Sequence, residues 1–157
     1  MSVRLEDEIK QKAFKNPYQK VIVNVLYTGG WMNLIQSGYL KPYGLSLPQY
    51  NVLRILRGQY PNPCSINLII DRMLDKASNA SRIVDKLVYK KLADRKTCEK
   101  DRRAVDVVIT KKGLDLLAEM DKKSDQWEEQ FHGITEKQAE KLNELLDKFR
   151  GSDFYNF

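Results

Sequence analysis

The chain has few of the residues that build metal centres, disulfide frameworks or catalytic sites. Its 157 residues include two cysteines, Cys64 and Cys98, and one histidine, His132. The cysteines form no metal-like pair, so no metal, cofactor or disulfide framework is expected, and this usage suits a reducing, cytoplasmic setting. No Ser, Cys or carboxylate is spaced to form a nucleophile–base pair, and no glycine-rich phosphate loop exists. The common enzyme classes are therefore excluded and no catalytic residue is named. No apolar run approaches the roughly 18 residues a membrane span needs. The opening MSVRLEDEIKQ alternates charge with isolated apolar residues and does not read as a signal peptide. Internal repeats and low-complexity tracts are missing as well.

The positive charge is unevenly placed. The formal net charge is +6. Lys76 to Lys112 holds 12 Lys and Arg against 5 Asp and Glu, which leaves 15 bases and 16 acids for the rest of the chain. The whole positive excess therefore lies in one stretch, and charge concentrated in this way implies an anionic partner surface.

Helix signals surround that stretch. Residues 3–15 are expected to form a short amphipathic helix on Leu5, Ile9 and Ala13. Asn16-Pro17 then starts a long apolar helix that runs to about Leu40, with Asn as cap and Pro at the first helical position. Gly29-Gly30 in its middle would permit a close helix crossing or a kink, or would simply weaken the helix locally. Lys41 to Gly44 is a turn. Ser46 and Gln49 form a capping box for a helix to Gly58, and Ser65 caps a short helix from Ile66 to about Leu74. The next helix runs from Ser78 to Lys91, capped by Asp75 or Ser78. Ile83, Val84, Leu87 and Val88 give it one apolar face, and Asn79, Arg82, Lys86 and Lys90 lie opposite. A polar tip from Arg95 to Arg103 leads to Val105, Val107 and Ile109, which alternate as in a strand and complete a two-stranded ribbon. Thr110 caps a helix to Phe131 on Leu114, Leu117, Met120, Trp127 and Phe131. Thr135, with Gln138, caps a last helix on Ala139, Leu142, Leu145, Leu146 and Phe149, which Gly151 ends. The tail adds Phe154, Tyr155 and Phe157.

The expected fold is mostly α with a small β-hairpin wing: a winged helix-turn-helix flanked by N- and C-terminal helices. The flanking helices carry more apolar faces than one small module can cover. They are read as dimerisation helices, at 1–40 and 113–157 around a winged region at 41–112, in one compact domain overall. The alternative is a monomer whose terminal helices cover the module. A cationic helix beside a basic hairpin tip suits double-stranded DNA, the helix in the major groove and an Arg-bearing loop in the adjacent minor groove.

Several runs resemble one known family. Gly44-Leu45-Ser46-Leu47-Pro48-Gln49-Tyr50-Asn51-Val52-Leu53, the helix from Ser81 to Leu87, Ala93-Asp94-Arg95, Asp101-Arg102-Arg103 and Ile109-Thr110-Lys111-Lys112-Gly113 resemble the MarR family of winged helix-turn-helix transcription factors. The resemblance covers roughly residues 17 to 150. It implies a homodimer held by its terminal helices, a recognition helix in the major groove and a wing arginine in the minor groove. It further implies an inverted-repeat operator and a repressor released by a small ligand. Lys91 stands where the family commonly has glycine, so the recognition helix is expected to end differently here. The first long helix has no cysteine, so the peroxide-sensing mechanism of some members does not carry over.

On this reading Ser78, Asn79, Ser81 and Arg82 face base edges, Arg82 taking a guanine and Asn79 an adenine. Ser78 and Asn79 serving only as caps is the alternative. Lys86, Lys90 and Arg95 are expected at phosphates. Arg103, with Arg102, would enter the minor groove, Arg102 alternatively being a solvated surface charge. Asp101 would orient a wing arginine or another basic residue by a salt bridge. Trp31, Tyr39 and Tyr43 would line a pocket for a small aromatic effector, or serve as core. Two other readings stay open: a winged module that binds protein or RNA, and a regulator oxidised at Cys98.

Overall fold

The computed structural model describes residues 3–97, 105–123, 129–131 and 133–151. The chain divides into two compact units, Val3–Glu119 and one that begins at Met120.

In the first unit, helix α1 (Leu5–Glu8) stops after one turn, so the expected helix over 3–15 is corrected. Lys10 adopts a left-handed φ of 54°, and the Gln11 amide donates back to the Glu6 carbonyl at 3.0 Å. This closure ends a helix and leaves Ala13 beyond it. Helix α2 (Pro17–Leu40) starts as expected, with the Asn16 side chain accepting from the Gln19 amide and Pro17 in the first turn. Among the described residues, a Cβ at Gly29 or Gly30 would meet nothing within 4 Å, so neither marks a close crossing there. A short 3-10 turn, Lys41–Tyr43, follows, and Gly44 at φ 63° lets the chain reverse.

Helix α3 (Leu47–Gln59) carries the capping box of Ser46 and Gln49 and buries Val52, Leu53, Ile55 and Leu56. Strand β1 (Cys64–Ser65) leads into α4 (Ile66–Arg72), where the Ser65 hydroxyl accepts from the Leu68 amide. Then come α5 (Ala80–Tyr89), β2 (Ala93–Thr97), β3 (Val105–Ile109) and α6 (Lys111–Asp121). The sheet is antiparallel with order β1-β3-β2, which pairs Cys64 with Val107 and Arg95 also with Val107, on opposite edges of β3. The wing sheet thus has three strands where two were expected. A two-residue strand is too short to show an alternation. Pairing also draws Arg95, Lys96 and Thr97 out of the expected tip and into β2. Helix α3 packs on α4, α5 and β3, and the shared core holds Leu53, Leu56, Ile69, Val84, Leu87 and Val107, all fully buried.

Helix α6 ends ten residues before the expected Phe131. The Lys123 amide bonds to the Met120 carbonyl at 3.0 Å and closes its last turn. Trp127 lies outside the described residues, and Glu129–Phe131 forms a separate 3-10 turn. In the second unit, α7 (Glu136–Arg150) begins on the predicted Thr135–Gln138 capping box and stops at Gly151. It buries none of its residues: Leu142, Leu145 and Phe149 are exposed. No described helix is long and apolar enough to cross a membrane.

Candidate nucleic-acid interface

Helix α5 sits on the module through Ala80, Ile83, Val84 and Leu87, all buried. That stripe at i, i+3, i+4 and i+7 leaves a second row facing outward. Ser81, Arg82, Asp85, Lys86 and Tyr89 make up this exposed row. Tyr89 is 89% exposed and was not among the expected contacts. Its position seven residues after Arg82 and three after Lys86 was signal enough to include it.

The start of α5 differs from expectation. Its cap is Asn79, whose Oδ1 accepts from the Arg82 amide at 3.0 Å. Asp75 and Ser78 instead shape the preceding turn. Asp75 accepts from the Ala77 amide at 3.0 Å and from the Ser78 hydroxyl at 2.5 Å. Those two bonds hold its carboxyl below the usual range, the Ser78 bond most. The turn is also tied to the helices before it. Asn51 of α3 accepts from the Leu74 amide at 3.0 Å, and the Lys76 ammonium donates to the carbonyls of Ile70 and Asp71 at the end of α4. Sequence reasoning assigned Asn51 no part. An asparagine inside a helix gives no sign of which amide it will reach.

At the other end, Lys91 takes a left-handed φ of 61°. The Leu92 amide bonds to the Leu87 carbonyl at 2.9 Å and the Lys91 amide to the Val88 carbonyl at 2.8 Å. This is the closure that glycine usually serves. The expectation that lysine would force a different ending is therefore corrected, because the tertiary contacts hold the geometry. The Thr110 hydroxyl donates to the Lys91 carbonyl at 2.8 Å and accepts from the Gly113 amide at 3.1 Å, and the Thr110 amide donates to the Leu92 carbonyl at 3.1 Å. A Cβ at Gly113 would lie 2.4 Å from the Leu92 carbonyl oxygen. The Thr-x-x-Gly run is thus the joint between the exit of α5 and α6.

Two basic side chains expected at phosphates are turned onto the protein. Arg95 Nη2 lies 2.9 Å from Asp85 Oδ1 and donates to the Ser81 carbonyl at 3.3 Å, joining β2 to α5. Lys90 Nζ donates to the Gly44 carbonyl and to Gln49 Oε1. Arg82 and Lys86 stay on the exposed row. Asp101, Arg102, Arg103 and Cys98 lie outside the described residues. Cys64 is fully buried, and burial pushes its thiol above the usual value, so it is chemically quiet. Of the aromatics expected to line an effector pocket, Tyr39 and Tyr43 lie 5.9 Å apart between ring centroids, and Trp31 is two turns earlier on α2. A cleft of about 590 Å³ nearby is lined by other residues, among them Asn33, Tyr50, Arg54 and Met73.

Fold and site define a winged helix-turn-helix protein. The family model described as MarR family matches residues 43–104. The transcriptional repressor IacR of Pseudomonas putida is 30% identical over 109 residues, covering 69% of this chain and 64% of its own. The crystal structure of a MarR transcription factor from Planctomyces limnophilus is 30% identical with a TM-score of 0.66, and the match covers 85% of this chain and 96% of that one. Bordetella bronchiseptica BpsR, whose DNA binding is regulated by 6-hydroxynicotinic acid, has the same fold with a TM-score of 0.76 at 23% identity, covering 90% of this chain and 100% of that one. The chain belongs to the MarR family of transcriptional regulators.

Proposed function

We propose that the protein is a homodimeric, sequence-specific DNA-binding repressor that reads an inverted-repeat operator and is released by a small aromatic ligand. The observation that carries this reading is the exposed row of α5, with Ser81, Arg82, Lys86 and Tyr89 on a helix pinned at both ends. A pinned helix presents base-reading groups at one angle, which sequence-specific readout requires. Arg82 and Lys86 supply cationic contacts, and Asn79 and Ser78 stand at the helix start that faces base edges in this motif. Arg103 and Arg102 extend the contact into the minor groove, and Asp101 orients them. The exposed apolar residues of α2 and α7 support the dimer, because apolar side chains presented in this number are usually covered by a partner. The ligand reading rests on the Tyr39 and Tyr43 ring pair, on Trp31 two turns earlier on α2, and on the regulation of BpsR.

Selection of bound duplexes from a random pool tests the whole reading. A two-fold symmetric consensus is expected, with affinity that falls steeply as salt rises because each neutralised phosphate releases counterions. The Arg103→Ala protein should lose most operator affinity and keep its circular dichroism. Failure to enrich any duplex, or a salt-independent affinity, would reject the reading. A stable protein or RNA partner would then replace it.

A further inference from the structure

We propose that Lys90 is a positioning residue for the recognition helix and not a phosphate contact. It ties the last turn of α5 to the corner where α2 gives way to α3. The proposal rests on the DNA-binding reading above. Lys90 caps α5, and its charged row would place it among the phosphate contacts. Its ammonium instead donates to the Gly44 carbonyl and, at 2.9 Å, to Gln49 Oε1. Gln49 is 6% exposed and is the buried polar side chain among the described residues. The same Oε1 accepts from the Ser46 amide at 3.2 Å, so one oxygen serves both the capping box of α3 and Lys90.

Drawing the ammonium out to a phosphate would leave two acceptors in a partly enclosed corner without their charged donor, a cost that opposes the move. The arrangement also supplies what the core cannot. The apolar stripe of α5 sets how closely the helix approaches the module, but dispersion contacts are weakly directional. Angle and register need directional bonds. The Asn79 cap provides one at the start of α5, the Arg95 bridge to Asp85 and Ser81 one along its side, and Lys90 one at its end. Lys112 reinforces that end by donating to the Lys90 carbonyl at 3.1 Å. Since Gly44 closes the turn that follows α2, a single side chain couples the end of the long helix to the end of the helix that reads bases.

The test compares Lys90→Met, which keeps the stem and removes the ammonium, with Lys90→Arg and with Lys86→Met, all below their melting temperatures. For Lys90→Met, operator affinity should fall on the order of tenfold while affinity for an unrelated duplex and the slope of log K against log salt stay unchanged. Lys90→Arg should recover most of the loss. Lys86→Met should lower the slope by about one per protomer. In the free protein, amide exchange over residues 86–92 should speed several-fold in Lys90→Met. A slope reduced by about one, with equal losses on both duplexes, would make Lys90 a phosphate contact and overturn the proposal. Unchanged operator affinity, or unchanged exchange, would also overturn it. If the wild type binds no duplex, the DNA reading fails, and the exchange measurement still decides whether Lys90 holds the helix.

Discussion

Gly113 and Lys91 sit at the same joint and show opposite tolerances. Gly113 has no room for a side chain, since its Cβ would press on the Leu92 carbonyl and on Ile109. Gly113→Ala should cost about 1–3 kcal/mol, the range for forced overpacking, measured by urea unfolding. Lys91 occupies a backbone region that disfavours side chains by roughly 1–2 kcal/mol. Lys91→Gly should therefore stabilise the protein by about 1 kcal/mol in the same assay, and a loss of stability would reject the account of the helix exit. The value of Gly113 was legible in the Thr-x-x-Gly spacing. That of Lys91 was not: its energy depends on Thr110, Leu87 and Val88 holding the exit around it.

Among the elements, α1 buries Leu5 and is tied to α2 by its acidic side chains. A four-residue helix has little stability of its own. Glu6 takes a bond from Lys20 at 2.6 Å and Glu8 one from the Tyr27 hydroxyl at 2.6 Å, both on α2. The Lys20 bond is the largest cause holding the Glu6 carboxyl at about 2, down from the usual 4.5. A depressed pKa in the folded state means that the stabilisation is complete above about 4.5 and is lost as pH falls toward 2. The α1 segment should therefore loosen from α2 over that window. Carboxyl NMR should place the Glu6 midpoint near 2, and Lys20→Met should move it up toward the ordinary value; an unmoved midpoint would contradict the bridge. Helix starts at Asn16, Ser46, Ser65, Thr110 and Thr135 were legible because caps are local chemistry. The ends of α1 and α6 were not, since no strong stop signal such as glycine or proline stands at Lys10 or after Asp121.

For the whole molecule, the unresolved balance is apolar surface. Leu26 and Leu34 of α2 are 71% and 73% exposed, with Ile22 on the same helix and Leu142 and Leu145 of α7 also uncovered. Replacing Leu26 and Leu142 together with Glu should convert the proposed dimer to monomers in sedimentation at micromolar concentration. The helical signal of each monomer should persist, since neither residue belongs to the buried core. Sedimentation unchanged from wild type would remove these faces from the interface.

The chain alone determined most of its helix starts, with that of α5 the exception, its amphipathic stripes, the concentration of positive charge between Lys76 and Lys112, and the order of motifs that marks the family. Each of these is written along the chain and needs no contact between distant residues. Only the tertiary structure decided which of the basic residues face outward. Arg82, Lys86, Lys90 and Arg95 carry the same charge and share one stretch, but Lys90 and Arg95 meet acceptors at Gly44, Gln49, Ser81 and Asp85. Three of those four acceptors are uncharged. A carbonyl or amide oxygen attracts a cation only within hydrogen-bonding distance, and folding alone brings residues 44 and 90 that close.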